Sequence, residues 1–311
     1  MEYITLKNSD LQVSRLCMGG CPMGGYGWGI VQEQELVAAV NAALDHGINF
    51  FDTADTYGIG QSEKTLGRAL GPRRDQAVIA TKFGVRVENY GTVYDNSPEW
   101  IRHACEESLR RLNTDYIDLY QLHYRDGRTD IREVVDTLEQ LKSEGKIRYF
   151  GLSNLKQGDI ADLQSCKGKF VSVQNQYSLA CRDLEQDMLE LSEKLDVTPM
   201  TWGSLGQGVL TGKYDASVTF SEDDRRSREI YVNFHGMKLL QNLELVEQVR
   251  LLAEKYGVSV SAVAVRFILD RLPGSVALCG TKRPDQILGN AEAMDWKLER
   301  EDLEKLDRIS K

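Results

Sequence analysis

The chain holds 311 residues, with 38 basic and 47 acidic side chains, a net charge of −9, and 41 % hydrophobic residues before its 27 glycines are added. That composition excludes intrinsic disorder as the main state, and the acidic balance argues against a nucleic-acid partner, whose binding surfaces are usually basic. No run of 18 apolar residues occurs, and the start MEYITLKNSD lacks the basic-then-apolar layout of a signal peptide, so the expectation is a cytoplasmic protein with no membrane partner.

In chain order, residues 3–6 and 11–13 flank Asn8-Ser9-Asp10, a turn signature, and read as a small hairpin. Short β-branched runs follow at 14–18, 48–51, 77–81, 116–121, 147–151, 170–174, 197–201 and 275–278, with amphipathic helical patterns between them. In 97–112, Ser97 is placed to cap a helix and Pro98 to fill its first position, while Ile101, Ala104, Cys105, Leu109 and Leu112 form an apolar face. In 130–143, Ile131, Val134, Val135, Leu138 and Leu141 do the same, and Gly145 sits where a C-terminal cap would be. Residues 203 to 239 lack periodicity and contain the charge run EDDRRSRE, which reads as solvated surface.

Eight strands interleaved with helices imply a parallel sheet, since parallel neighbours need a crossover connection. A doubly wound sheet would put a glycine-rich turn between the first strand and a helix. MGGCPMGGYGWG is glycine-rich, but it has no clean GxGxxG and the helix starts some ten residues late. The expected fold is therefore one (β/α)₈ TIM barrel over residues 1–311, with the N-terminal β-hairpin covering its bottom and a long loop after strand seven. Six cysteines are scattered, only Cys17 and Cys21 lying close, and there are four histidines. This suits reduced thiols and no metal rather than a zinc site or a disulfide framework.

Barrel active sites form at the C-terminal ends of strands. Strand two ends at Asp52, with Tyr57 five residues on; strand three ends at Lys82 and strand four at His123. Singly, a loop tyrosine packs, a strand-end lysine reaches for solvent and a lone histidine is a satisfied polar group. Together, three consecutive strand ends bring titratable groups to one rim. Those groups suit proton transfer to an oxygen. The ammonium is expected to lower the phenol pKa, the carboxylate to hold the ammonium, and a neutral imidazole to orient a carbonyl. Such a site still lacks a hydride donor. A Schiff-base aldolase using Lys82 is the other chemistry open to it, although Asp52 would keep the amine protonated.

The stretches GINFFDTADTYGIGQSEKTLGRAL, VIATKFG, ESLRRLNTDYIDLYQLH, GKIRYFGLSN, VQNQYSL, GSLGQGVLTGKY and CGTKRPDQILGNAEA resemble the aldo-keto reductase superfamily. The DNSPEW and RLNTDYIDL stretches are similar to its bacterial branch of inositol-operon reductases, related to potassium-channel β-subunits. The resemblance implies a catalytic tetrad of Asp52, Tyr57, Lys82 and His123, and a nicotinamide cofactor, NADP(H) with NAD(H) also admissible. It implies that Ser153, Asn154 and Gln174 hold the carboxamide and that Trp202 stacks on the nicotinamide ring. Gly203, Ser204, Leu205, Gly208 and Lys213 would cover the pyrophosphate, and Gly280, Thr281, Lys282, Gln286 and Asn290 the adenosine end. Many relatives have Ser-Pro-Leu at 203–205 and an arginine at 286. Trp28, Tyr90, Tyr124 and Arg125 are the candidate lining of a pocket for a small carbonyl or polyol substrate, sugar-like or cyclitol-like. The expected activity is NADPH-dependent reduction of an aldehyde or ketone with Tyr57 as general acid. A slow, cofactor-binding regulatory subunit is the alternative.

Overall fold

The computed structural model describes residues 1–88 and 91–311. Strands β1 (Tyr3–Thr5) and β2 (Gln12–Ser14) form the antiparallel N-terminal hairpin, and Asn8 takes the left-handed turn conformation, φ 57°, that asparagine tolerates. Then come β3 (Leu16–Gly19), β4 (Phe50–Asp52) and β5 (Val78–Phe83), followed by a second antiparallel hairpin of β6 (Val85–Glu88) and β7 (Gly91–Tyr94). The remaining strands are β8 (Ile117–Leu122), β9 (Ile147–Ser153), β10 (Ser172–Gln176), β11 (Thr198–Trp202) and β12 (Val276–Gly280). The eight strands outside the two hairpins are parallel neighbours in sequence order, and β12 pairs with β3 to close a barrel. It is the expected (β/α)₈ architecture.

Helix boundaries follow local chemistry. Ser97 caps the helix Pro98–Leu112 by accepting from the Trp100 N–H at 3.3 Å, and Asp130 caps Ile131–Ser143 by accepting from Arg132 N–H at 2.9 Å. The strands end one or two residues C-terminal of the expected runs, and all but β9 also begin so. The apolar runs begin in the approach to the strand: Phe170 and Val171 are buried before β10 starts.

The hairpin explains where polar chemistry can sit. Its Leu6, Leu11 and Val13 pack on the lumen residues Cys17, Phe50, Ala80, Leu119, Met200 and Val276, plugging the N-terminal end of the barrel. Each fully buried leucine contributes about 1.5–3 kcal/mol. Side chains alternate along a strand, so the next inward position above Phe50 is Asp52, above Ala80 is Lys82, and above Leu119 is Gln121. The lumen thus turns from apolar to polar within one pleat. The segment after β11 carries short 3₁₀ turns before the helix Gly236–Tyr256 begins. No helix among the described residues is long and apolar enough to cross a membrane.

Candidate active site

A cavity of about 810 Å³ opens at the C-terminal ends of the strands. Beneath it, the buried Lys82 ammonium donates to Asp52 Oδ1 at 2.6 Å, to the Thr53 carbonyl at 2.9 Å, and to the Tyr57 hydroxyl at 3.4 Å. Asp52 is 3 % exposed and Lys82 1 %, so neither is compensated by bulk water. Asp52 Oδ2 accepts from Gln121 Nε2 at 3.0 Å and Gln174 Nε2 at 2.8 Å. A buried ion pair needs such extra hydrogen bonds to offset its desolvation. Gln121, which the sequence did not single out, is thus part of the support.

Tyr57 stands in the turn after β4, where Gly58 (φ 62°) comes so close to the backbone of Gly24 that a Cβ would lie 2.0 Å from its oxygen. Burial pushes the Tyr57 phenol well above its ordinary pKa, with Cys21 and Asp52 adding to the rise. This corrects the expectation of a lowered phenol. The ammonium is 3.4 Å away, but a carboxylate 2.6 Å from that ammonium offsets its field. At neutral pH Tyr57 holds its proton. His123 faces it edge-on, with ring centres 6.2 Å apart, and burial followed by the Lys82 charge drives the imidazole well below its ordinary pKa. It is neutral, and its buried Nδ1 has no partner among the described residues.

Asn154 adopts φ 55° at the end of β9. Its Nδ2 donates to the His123 carbonyl at 3.0 Å and Ser153 Oγ at 3.1 Å, while its Oδ1 accepts from Trp202 Nε1 at 3.0 Å. The Ser153 hydroxyl donates to the Gln174 carbonyl at 2.9 Å. Because Asp52 only accepts, the Gln174 amide nitrogen must face it, which turns Oε1 away.

The segments after β11 and β12 border the rest of the cavity. Gly203, Ser204, Leu205, Gly208 and Lys213 line it, with left-handed backbone at Gly203, Gly206, Gln207 and Gly208. Gly280, Lys282, Gln286 and Asn290 also line it, whereas Thr281 lies buried behind, its hydroxyl donating to the Cys279 carbonyl. Arg225 and Arg226 belong to the charge run expected to be solvated. Instead they line the cavity, and Arg226 is held by Asp224, the Tyr214 hydroxyl at 2.6 Å and the Phe220 ring at 4.3 Å. Lys282 donates to the Trp28 carbonyl at 2.6 Å, joining this side to the loop after β3. Burial, then crowding by Arg226 and Lys213, lowers its pKa.

Of the candidate substrate-pocket residues, Trp28 and Tyr124 line the cavity and Tyr90 lies outside the described residues. Arg125 does not line it. Its guanidinium is taken by Asp159 at 3.3 Å and Asp162 at 3.0 Å, over a separate shallow groove. The second hairpin supplies Val85, Val87, Thr92 and Tyr94 instead. Tyr94 packs against Tyr124 with ring centres 5.2 Å apart and planes tilted by 34°, and Tyr124 against His123 at 5.0 Å and 30°, an aromatic wall running down to Tyr57.

The model of the aldo/keto reductase family matches residues 15–311. The chain is 35 % identical over 312 residues to the aldo-keto reductase YhdN of Bacillus subtilis, covering 99 % of this chain and 93 % of that protein. Among solved structures, the glycerol dehydrogenase AKR11B4 from Gluconobacter oxydans superposes with a TM-score of 0.89 at 36 % identity, covering 99 % of this chain and 94 % of that one. An aldo/keto reductase from Klebsiella pneumoniae in complex with NADP and acetate superposes with a TM-score of 0.76 at 28 % identity, covering 99 % and 95 %.

Proposed function

The chain belongs to the aldo/keto reductase family, and on that premise we propose that it reduces the carbonyl group of a small aldehyde or ketone to the alcohol, with NADPH as the preferred reductant. The observation that carries this reading is the Tyr57 hydroxyl 3.4 Å from the ammonium of the buried Lys82–Asp52 pair, with His123 edge-on to its ring at the cavity floor. Tyr57 gives its proton to the carbonyl oxygen, and in the reverse direction takes it back from the alcohol. Lys82 stabilises the phenolate left behind, and Asp52 with Gln121 and Gln174 keeps Lys82 in place. The neutral imidazole of His123 donates a hydrogen bond that orients the carbonyl.

A reduced nicotinamide supplies the hydride that the carbonyl carbon receives. The residues present suit such a cofactor. Lys213, Arg225, Arg226, Lys282 and Arg283 line this side of the cavity together with Asp285, and the like-charge crowding at Lys282 marks a place that favours an anion. The left-handed backbone at 203–208 is the conformation in which successive N–H groups can converge on phosphate. Ser153 and Gln174 Oε1 are left to hold the carboxamide, Trp202 to cover the ring, and Gln286 and Asn290 to hold the adenosine end. NADH remains usable, because Arg283 is paired with Asp285 and Lys282 with a backbone carbonyl.

A sugar-like or cyclitol-like carbonyl substrate is supported by the aromatic wall of Tyr94 and Tyr124, which suits the C–H face of a ring. Trp28, which also lines the cavity, adds a further aromatic face. The test is a panel of simple aldehydes, ketones, sugars and cyclitols, followed by nicotinamide absorbance in both directions with NADPH and NADH. Turnover that Tyr57→Phe abolishes supports the reading. No turnover of any panel member with either cofactor would refute it.

A further inference from the structure

Among the described residues, five cations line the cavity, and three have their charge engaged by protein: Arg226 by Asp224, Arg283 by Asp285 at 2.9 Å and Lys282 by the Trp28 carbonyl at 2.6 Å. Lys213 lies over the Tyr214 ring at 4.8 Å. Arg225 is held differently. Its backbone N–H donates to the Gly27 carbonyl at 3.0 Å, and its guanidinium carbon stands 5.4 Å from the centre of the Tyr26 ring. Its stem lies so close to Gly27 (φ 77°) that a Cβ there would come within 2.5 Å of Arg225 Cγ. The side chain is thus pinned along its length, yet its guanidinium makes no hydrogen bond or ion pair among the described residues. An arginine carries five N–H donors, and here none is spent on protein. The loop that pins it also reaches Tyr57. Three residues before Gly27, a Cβ on Gly24 would lie 2.7 Å from the Gly58 nitrogen and 2.8 Å from the backbone carbonyl carbon of Tyr57. Cys21, at the start of this stretch, lines the same cavity; burial pushes its thiol up, and the Arg225 charge is the largest influence opposing the rise. Beyond burial, the charges that lower Lys282 are instead Arg226, Lys213 and Arg283. Arg225 therefore belongs to the Tyr57 side of the cavity, and the other four to the side that suits phosphate.

We propose that Arg225 binds an anionic end of the substrate, a carboxylate or a phosphate, while the carbonyl of the same molecule faces Tyr57. This rests on the carbonyl-reductase reading and narrows its substrate class. A guanidinium meets either oxyanion with two parallel N–H bonds, which fixes orientation as well as adding affinity. Because the side chain is already pinned by Gly27 and Tyr26, little of its freedom is left to lose when the anion arrives. The aromatic wall of Tyr94 and Tyr124 stays available to the body of the molecule. An acidic or phosphorylated hydroxy-carbonyl compound thus finds an acid for its carbonyl, a wall for its carbon skeleton and a cation for its charge.

The test compares two matched pairs of aldehydes at saturating NADPH: butanal with succinic semialdehyde, which differ by a carboxylate, and glyceraldehyde with glyceraldehyde 3-phosphate. The parent should favour the anionic member of at least one pair by about 10–100-fold in kcat/KM, the worth of hydrogen bonds to a charged group. Which pair shows the preference tells carboxylate from phosphate. Arg225→Gln keeps a polar side chain without the charge, and it should erase most of that preference, chiefly through KM of the anionic member. NADPH affinity by calorimetry is read on the same proteins. A parent without preference in either pair overturns the proposal, and so does an Arg225→Gln protein that keeps the parent's preference. A loss shared equally by both members of a pair, together with weaker NADPH binding, would make Arg225 a cofactor ligand and also overturns it. If no aldehyde is turned over, the functional reading fails, and calorimetry with 4-hydroxybutyrate then decides the anion site by itself. Binding that Arg225→Gln removes supports the site; absent binding, or equal binding to both proteins, refutes it.

Discussion

Lys82→Met separates what the buried pair does for folding from what it does for chemistry. Removing the ammonium leaves Asp52, 3 % exposed, without its counter-charge and the Thr53 carbonyl without its donor. Breaking a buried pair from one side typically costs about 3–5 kcal/mol, and urea unfolding of Lys82→Met should read a loss of that size. Adding Asp52→Asn removes the stranded charge, and the new amide oxygen still accepts from Gln121 and Gln174. The double variant should therefore recover to within about 1–2 kcal/mol of the parent. Activity should not recover with it. At 3.4 Å and an effective dielectric near 20, the ammonium stabilises a Tyr57 phenolate by about 5 kcal/mol. If Asp52 offsets half, about 2.5 kcal/mol remain, about 70-fold in rate. Both Lys82 variants should lose at least that factor in kcat, with any residual pH profile displaced toward alkaline pH, because the phenol rises further without its cation. Asp52→Asn alone keeps the ammonium and should be milder. A Lys82→Met protein that keeps the parent rate and pH profile would refute the electrostatic account, whatever its stability.

Tyr57→Phe should lower kcat by about 10²–10⁴-fold and leave NADPH affinity nearly unchanged; a variant keeping more than about a tenth of the parent rate, with chemistry rate-limiting, would exclude Tyr57 as the acid. Burial, with the nearby Glu63, pushes the Asp55 carboxyl up to about 8, and its Oδ1 has no partner among the described residues. Between the unfolded value of 3.8 and about 8 the folded chain holds a proton that the unfolded chain lacks. Its contribution to stability is therefore complete below the first value and is lost as pH rises through the second, at up to about 1.4 kcal/mol per pH unit. Asp55→Asn should match the parent in thermal stability near pH 4 and exceed it above pH 8; equal melting curves at pH 9 would contradict this. Lys282→Ala should weaken NADPH about tenfold and NADH little, with added salt narrowing the gap in the parent. Equal dissociation constants for both cofactors in the parent at low salt would leave Lys282 only its bond to the Trp28 carbonyl.

What could be read in the sequence is what each strand delivers to the rim by itself. Asp52, Lys82 and His123 follow from counting inward positions along apolar runs, and Ser97 and Asp130 announce their helices because a cap acts within three residues. What could not be read is how those deliveries satisfy one another. Gln121 looks like an ordinary polar residue ending a strand, and only barrel closure brings its amide to Asp52. The strands β6 and β7 are absent from the expected elements because each is only four residues long and Val87, Val93 and Tyr94 are exposed, so no buried face marks them. EDDRRSRE looks solvated because nothing nearby in sequence signals burial. Arg226 is drawn in by Tyr214 and Phe220, six to twelve residues before it, and by Phe234 after it, at spacings that fit neither helix nor strand. The Lys282–Trp28 and Asn154–Trp202 bonds pair residues 254 and 48 positions apart. Both donors matched family positions that suggested contact with cofactor. The fold engages them with protein first, so an anion at Lys282 competes with a hydrogen bond already made. Affinity for the cofactor then depends on what the protein gives up as well as on what it offers.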